Sequence, residues 1–237
     1  MASLAIFDFD RTVVDDDSDA TIINKLKEDK PPPEWEATNK DWTPYMSDVF
    51  EHAFTTGLSQ DDILSCIGSM RPTPGIEQLI TTLASEGWDI LIVSDANSIF
   101  VSHWLKVHGL LECVTSVITN RAFFQYGRLY IEPHMHQVAC PRCPTNLCKS
   151  LALAQWLAHH SYERIVYTGD GRNDYCPSTK LPANATVFPR RGYPLDDLTR
   201  KTLSSSSPQV KAKVMPWDDC CQILQELFPG KSPAVPS

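Results

Sequence analysis

The chain of 237 residues lacks long apolar runs, and this absence limits where it can act. No stretch approaches the roughly 20 consecutive apolar residues that are needed to cross a bilayer. The apolar run nearest the start, Leu4–Phe9, is too short for the core of a signal peptide. No internal repeat is evident. We therefore expect a cytoplasmic protein that does not act in a membrane.

The chain also lacks an excess of positive charge. It has 21 Lys and Arg against 29 Asp and Glu, with a net charge of -8 and a pI near 5.3. Nucleic acids and anionic membrane surfaces both require Lys and Arg for binding, so neither is an expected partner. A small phosphorylated metabolite is not excluded, because a metal ion can neutralise acids that line a binding site.

Cysteines number eight, and three of them lie close together in the sequence. Cys140, Cys143 and Cys148, with the nearby His134 and His136, have a spacing that suits zinc ligands. The alternative is a packed loop of small, half-buried thiols that precedes a helix. Disulfides are not required in a cytosolic chain of this length.

Two acids end the first apolar segment of the chain. Asp8 and Asp10 close the predicted strand Leu4–Phe9, and Thr12 follows. Side chains two residues apart on a strand point the same way, and the carboxyl ends of strands are where open α/β sheets bind ligands. Paired acids favour a hard cation such as Mg²⁺, and a carboxylate nucleophile can accept a phosphoryl group. A solvated acidic turn would also explain this pattern.

Three later segments provide further side chains that could contact a phosphate or a metal ion beside the acidic pair. Ser94 follows a second apolar strand and could donate a hydrogen bond to a phosphate oxygen. Lys149 begins a helical stretch and could neutralise both a phosphate and Asp8. Asp170 and Asp174 follow a third apolar strand and provide further acids for a metal ion.

These segments, in this order after successive strands, resemble the haloacid dehalogenase superfamily of phosphatases. Within it, the chain is similar to the phosphoethanolamine/phosphocholine phosphatase family, which has relatives that act on pyridoxal phosphate and plant relatives linked to thiamine phosphate and pyrophosphate. The resemblance runs from about Leu4 to about Phe228, although His134–Cys140 is longer and less polar than the family pattern. Five stretches carry it: Phe7–Asp19, Ser94–Ser98, Cys140–Lys149, Gly169–Pro177 and Phe188–Pro194.

The resemblance implies roles for the acids and the lysine. Asp8 is the expected nucleophile, and Asp10 is expected to donate and accept the proton. Mg²⁺ would take the side chain of Asp8, the backbone carbonyl of Asp10 and the side chain of Asp170. Asp174 would hold a metal-bound water or Lys149. The family uses magnesium, so the resemblance argues against zinc at the cysteine run.

The resemblance also implies substrate contacts for Asp19 and Asp95. Their alternatives are a helix cap for Asp19 and a turn former for Asp95. A cationic substrate end would need such anionic partners, and cation–π contacts from Trp35, Trp42 and Tyr45 could add to them. For Tyr45, packing inside the protein is the favoured interpretation.

Alternating β and α segments after the break at Arg71–Gly75 predict the fold class. We expect an α/β, Rossmann-like, mostly parallel sheet with helices on both faces and a small helical cap inserted after strand 1. Residues 1–14 and 73–228 would form the haloacid dehalogenase-like core and 15–72 the cap, and 229–237 would be a disordered tail.

The predicted function is Mg²⁺-dependent hydrolysis of small phosphomonoesters through an aspartyl-phosphate. Phosphoethanolamine or phosphocholine is the first expected substrate, pyridoxal 5′-phosphate the second, and thiamine phosphate or pyrophosphate the third. Two other classes stay open: a phosphotransferase, and a zinc-binding scaffold that has lost catalysis.

Overall fold

The computed structural model describes residues 2–35, 41–201 and 209–231. Seven strands form one sheet in the order β4-β3-β2-β1-β5-β6-β7, and every neighbouring pair is parallel except β3 and β4. The strands are β1 (Ser3–Phe7), β2 (Asp89–Asn97), β3 (Ser116–Gln125), β4 (Arg128–Glu132), β5 (Arg164–Gly169), β6 (Thr186–Pro189) and β7 (Lys213–Val214).

Strand β1 lies in the middle of the sheet. Its last residue, Phe7, pairs with Ile92 of β2 on one side and with Thr168 of β5 on the other. The residues that follow β1, β2 and β5 therefore meet at one edge of the sheet, as predicted for parallel strands.

Helices cover both faces of the sheet. They are α1 (Ser18–Lys27), α2 (Trp42–Thr55), α3 (Gln60–Gly68), α4 (Ile76–Ser85), α5 (Ser98–Val107), α6 (Lys149–Leu157), α7 (Tyr175–Ser178), α8 (Pro194–Lys201) and α9 (Cys220–Leu227). Alternate residues of β1 belong to different apolar clusters: Phe7 packs with the cluster of α1–α5 and α9, and Ile6 with that of α6–α8. The predicted fold class is confirmed.

Helices α1–α3 lie between β1 and β2 in the chain, where the cap was predicted. They are not separated from the core by a polar gap, because Ile22, Val49 and Ile67 share one apolar cluster with Phe7. The boundaries of the cap stay a prediction. Most of the predicted tail, 232–237, lies outside the described residues.

The sequence predicts a strand at Thr115–Thr119 and a hairpin at 121–131, and both are present. The structure adds that β3 is continuous through the predicted strand and the first arm of the hairpin. The first half of β3 pairs with β2 and its second half pairs with β4, so this one strand forms hydrogen bonds with two neighbouring strands. Helix α8 and the two-residue β7 were not predicted.

Within the part of the chain that the structure describes, no helix combines the length and the apolar character that a bilayer crossing requires.

Candidate active site

Asp8 lies directly after β1, buried at the carboxyl edge of the sheet. Its backbone N–H donates to the carbonyl of Thr168 at 3.0 Å, which extends the pairing with β5 by one residue. The carboxylate accepts a hydrogen bond from the Phe9 N–H at 2.7 Å and contacts Lys149 Nζ at 2.6 Å. These contacts hold one carboxylate in place, as a nucleophile requires.

Lys149 is buried at the first turn of α6 and joins two acids. Its Nζ lies 2.6 Å from Asp8 Oδ2 and 2.8 Å from Asp174 Oδ1. The carboxylate of Asp174 also accepts from the Tyr167 hydroxyl at 2.6 Å and from the N–H groups of Asp170 and Gly171 at 3.1 and 2.8 Å. Four protein donors occupy the oxygens of Asp174, which agrees with its predicted contact to Lys149.

Asp170 completes a group of acids that could hold a metal ion. Carboxylate oxygens of Asp8, Asp170 and Asp174 lie within 4.8 Å of one another, and Thr12 Oγ1 donates to Asp170 at 3.2 Å. At Gly169 a Cβ atom would lie 2.6 Å from Asp174 Cγ, so this close approach requires glycine.

Burial and mutual repulsion both raise the pKa values of these acids. Burial raises the pKa of Asp8 well above its usual range, and the nearby Asp174 raises it further. Burial and then Asp174 raise the pKa of Asp170 to about 7. A hard divalent cation relieves such repulsion and prefers oxygen ligands, so these residues fit Mg²⁺.

Asp10 turns its carboxylate away from this group. It accepts hydrogen bonds from the N–H of Ser18 at 2.7 Å and from the Ser18 hydroxyl at 3.1 Å. Burial raises the pKa of Asp10 well above its usual range, and Asp17 and then Asp19 raise it further. A carboxyl group with a raised pKa suits the predicted proton donor.

Ser94 lies at a bulge in β2, where the pairing with β3 shifts register between Val93 and Asn97. It is fully buried, and its hydroxyl accepts from the N–H of Ala96 at 3.2 Å. The bulge places Asp95 and Ala96, rather than Ser94, in the lining of the pocket above Asp8. The phosphate contact of Ser94 stays a prediction.

The pocket has a volume of about 270 Å³ and an acidic lining. Six aspartates line it together with one arginine and one tryptophan: Asp8, Asp10, Asp17, Asp19, Asp95, Asp170, Arg11 and Trp42. The arginine is partly neutralised, since Arg11 Nη2 lies 3.3 Å from Asp17 Oδ2. The wall away from Asp8 therefore presents negative charge and an aromatic ring.

Asp19 is buried in this wall. Trp42 Nε1 donates to its Oδ2 at 2.6 Å, while its Oδ1 is buried and has no hydrogen-bond partner among the described residues. Burial raises the pKa of Asp19 to about 7, against the opposing effect of the Trp42 hydrogen bond. Asp17, not Asp19, caps α1, so the capping interpretation of Asp19 was wrong.

The three cap aromatics form one cluster. The ring centroids of Trp35, Trp42 and Tyr45 lie 5.0 to 5.1 Å apart. Tyr45 is buried and its hydroxyl donates to the Pro33 carbonyl at 3.1 Å, as the packing interpretation predicts. Of these three aromatic residues, Trp42 lines the pocket, whereas Trp35 and Tyr45 do not.

Several residues that support the site were not predicted from sequence. Arg190 is buried, donates to the Arg11 carbonyl and pairs with Asp15, and its guanidinium stacks on Trp217. It thereby holds the loop after β1, where Arg11 has a left-handed φ of 56°.

Asn120 supports the other side of the site. Its Nδ2 donates to the carbonyls of Asp95 and Ala96 at 2.7 and 2.9 Å, and its Oδ1 accepts from the N–H of His134. It links the bulge of β2 to the segment before the cysteines. Asn120 has no sequence signal. Arg190 lies in the stretch Phe188–Pro194, but its contacts could not be predicted because it acts on a segment far away in the chain.

The raised pKa values predict how stability depends on pH. Asp8 and Asp170 bind protons more tightly in the folded state than in the unfolded state, so proton binding by these two acids stabilises the fold. This stabilisation is complete below about pH 4 and is lost as the pH rises through the pKa of the folded state, which is near 7 for Asp170. We expect the Tm of EDTA-treated protein to fall between about pH 5 and about pH 8. Mg²⁺ should raise the Tm more at the higher pH, as scanning calorimetry would measure.

Asp170→Asn serves as the control for this effect. It removes one of the titrating acids, so the pH slope should become shallower and the Mg²⁺-dependent rise in Tm should shrink. An equal rise in Asp170→Asn would show that Mg²⁺ binds elsewhere.

Comparison with solved structures identifies the fold. A substrate-bound phosphoserine phosphatase has a TM-score of 0.62 at 18% identity, over 95% of this chain and 98% of that one. A phospho-aspartyl intermediate analogue of phosphoserine phosphatase has a TM-score of 0.61 at 19% identity. The fold is thus of the haloacid dehalogenase type, as predicted.

Comparison of sequences gives the family. A family model described as "Putative Phosphatase" matches residues 3–229. The Bos taurus protein named pyridoxal phosphate phosphatase PHOSPHO2 is 35% identical over 96% of this chain and 98% of its own length. The Homo sapiens phosphoethanolamine/phosphocholine phosphatase is 31% identical over 94% and 87%, respectively. The chain belongs to this phosphatase family and is a phosphatase of small phosphomonoesters.

Proposed function

We propose that this phosphatase hydrolyses its substrates through an aspartyl-phosphate on Asp8, with Mg²⁺ as cofactor. The observation that carries the proposal is the buried contact of Asp8 with Lys149, beside Asp170 at the base of an acidic pocket. A carboxylate that is fixed in this way can attack phosphorus. We place the activity in the cytoplasm as part of the same proposal.

The residues divide the reaction into two steps. An Asp8 oxygen bonds to phosphorus while the bond from phosphorus to the leaving oxygen breaks, and the carboxyl group of Asp10 protonates the leaving alkoxide. The Asp10 carboxylate then takes a proton from water, which attacks phosphorus and releases phosphate from Asp8. Transfer depends mainly on positioning and on neutralised charge.

Lys149 supplies part of that neutralisation from a fixed position. Its two carboxylate partners keep it charged, and its pKa is raised well above the usual lysine value by Asp174 and Asp8, although burial opposes the shift. Mg²⁺ held by Asp8, the Asp10 carbonyl and Asp170 would neutralise the phosphoryl oxygens further. Ser94 is proposed as an additional phosphate contact.

For the substrate, we propose a phosphomonoester with a cationic end, phosphoethanolamine or phosphocholine. Asp19 has a buried oxygen for which the described residues offer no hydrogen-bond partner, and Asp95 lines the same pocket. An ammonium or quaternary amine would satisfy these acids and could contact the face of Trp42, a cation–π contact worth about 0.5–2 kcal/mol.

Pyridoxal 5′-phosphate is the second candidate. The observation in its favour is the higher identity to the Bos taurus protein of that name, 35% against 31% for the Homo sapiens phosphoethanolamine/phosphocholine phosphatase. Thiamine phosphate or pyrophosphate is third. A scaffold without catalysis does not suit a chain that keeps the acids and the lysine of a phosphatase.

Removal of the metal tests the cofactor. Because three buried acids surround the phosphate position, EDTA should abolish phosphate release and Mg²⁺ should restore it. The assay is free phosphate from a panel of phosphomonoesters, reported as kcat/KM with and without Mg²⁺. Full activity in metal-free buffer would contradict the proposal for the cofactor, and the panel itself ranks the candidate substrates.

Substitution of the acids in the pocket wall tests substrate choice. Asp19→Asn and Asp95→Asn should each lower kcat/KM for phosphoethanolamine and phosphocholine by a factor of ~10 to 150, as expected for a lost charge-assisted contact of about 1.5–3 kcal/mol. An uncharged arylphosphate lacks this contact and should lose far less.

Asp48→Asn on the exposed side of α2 is the matched control, since it removes the same charge away from the pocket. Equal losses on both substrate types would mean that Asp19 and Asp95 support the catalytic loop. A loss confined to pyridoxal phosphate would transfer the assignment to the second candidate.

A further inference from the structure

Four cysteines that the reaction does not use converge beside the site. The Sγ atoms of Cys140, Cys143, Cys148 and Cys176 all lie within 4.8 Å of one another, and those of Cys140 and Cys176 are 3.6 Å apart. In tetrahedral Zn²⁺ sites the Zn–S bond is about 2.3 Å, which places sulfurs roughly 3.8 Å apart. We propose that these four thiolates bind one structural Zn²⁺, in a site distinct from the acids that would hold Mg²⁺.

The ligand set differs from the one that the sequence suggests. The C-x₂-C spacing pointed to His134 and His136 as companions, and the family resemblance argued against zinc. Neither histidine belongs to the cluster, and Cys176, from the segment after β5, completes it instead. A Cys₄ set has the composition of a closed structural zinc site, which leaves no position for substrate.

The loop that carries Cys140 and Cys143 is held in a fixed conformation. The buried amide of Gln137 donates to the carbonyls of Cys140, Cys143 and Pro144 at 3.2, 3.1 and 2.8 Å. Its Oε1 accepts from the Cys140 N–H at 2.8 Å. One side chain thus fixes the turn so that both thiols face Cys148 and Cys176, which is the type of support that metal ligands receive from neighbouring residues.

Two alternatives fit the geometry less well. A disulfide requires sulfurs about 2.05 Å apart, and all eight cysteines, which lie within the described ranges, are free. Thiols that only pack together do not require a side chain that fixes their turn, whereas here Gln137 fixes the turn from which Cys140 and Cys143 point to Cys148 and Cys176. Tetrahedral sulfur sites also bind iron, so the metal must be identified by analysis.

The cysteine site lies next in the chain to two residues of the proposed active site, Lys149 and Asp174. Cys148 directly precedes Lys149, and Cys176 lies two residues after Asp174. The metal would connect the two segments whose side chains form the 2.8 Å contact between Lys149 and Asp174. This connection does not depend on which phosphomonoester is the substrate.

Metal analysis of the full-length protein tests the site. After purification under reducing conditions and gel filtration in metal-free buffer, the wild type should retain about one Zn²⁺ per chain, as elemental mass spectrometry would measure, because closed structural sites bind zinc tightly. Cys143→Ser and Cys176→Ser should lose it. Cys113→Ser, a half-buried thiol outside the cluster, should keep it and is the matched control.

Asp170→Asn separates the two metal sites, since it alters the acids and leaves the thiols. It should retain zinc. Loss of zinc in Asp170→Asn with retention in Cys143→Ser would place the ion among the acids and overturn the inference. So would a wild type that holds less than about 0.2 equivalents of zinc after growth with added zinc, or one that contains iron instead.

A spectroscopic measurement keeps the test valid if the cysteine variants do not fold. Exchange of the wild-type metal for Co²⁺ should produce a thiolate-to-cobalt charge-transfer band and the intense d–d bands of tetrahedral sulfur coordination. Their absence would overturn the inference. A disulfide between two of these four cysteines, located by peptide mapping of protein purified without reductant and blocked with an alkylating agent, would overturn it as well.

Discussion

Replacement of Asp8 by Asn should lower kcat by several orders of magnitude while the protein still folds. The amide keeps the shape of the carboxylate but is not a nucleophile, so the covalent route is closed. Folding should survive because Lys149 keeps its 2.8 Å contact with Asp174 and because a buried group with a raised pKa gains little from its charge. Steady-state kinetics and the Tm of the purified variant measure the two effects.

Asp10→Asn is the companion variant. It should slow both phosphorylation and hydrolysis, because the same carboxyl group donates and then accepts the proton. If Asp8→Asn kept more than about a tenth of the wild-type kcat, a difference of only ~1.4 kcal/mol in barrier, Asp8 would not be the nucleophile.

Replacement of Lys149 by Met should produce the second large effect, on stability as well as on activity. Lys149 is buried with 1% of its side chain exposed, and it contacts two acids that would then face each other without it. Breaking a buried ion pair by removal of one partner costs about 3–5 kcal/mol. We expect a loss of this size in the free energy of unfolding in EDTA, with kcat reduced at least about a hundredfold.

A second substitution separates the two roles of Lys149. Asp174→Asn added to Lys149→Met removes one of the unpaired acids and should recover part of the stability, as urea unfolding would show. It should not recover kcat, because the charge near the phosphate is still missing. Recovery of both would mean that Lys149 only supports the fold, and an unchanged stability in the single variant would contradict the buried network.

The sequence by itself was sufficient for the framework of the site. Buried apolar segments followed by acids indicated β1 and β5, and parallel pairing requires that their carboxyl ends share one edge. This local pattern correctly placed Asp8 and Asp170 together. The start of α6 at Lys149 was also predicted, since the change from a Cys and Pro loop to helical periodicity is a short-range signal.

Only the tertiary structure decided which distant segments meet. Arg190 reaches the loop of Arg11, and Cys176 joins the C-x₂-C turn, because of how the chain crosses between strands rather than because of any nearby pattern. Strand β3 was divided in the prediction since its two partners lie on opposite sides of it. The two residues of β7 are too few to form a pattern.

In the pocket wall, too, the sequence indicated some features and only the tertiary structure decided the others. The sequence marked Asp19 and Asp95 as candidates. The folded chain turns Asp10 towards Ser18 and joins Trp42 to Asp19 Oδ2, and within the described part of the structure Asp19 Oδ1 has no hydrogen-bond partner. Such details depend on side-chain orientation and burial, which follow from packing in three dimensions. The sequence therefore determined the class of chemistry, whereas the tertiary structure decided the charge and shape that a substrate meets.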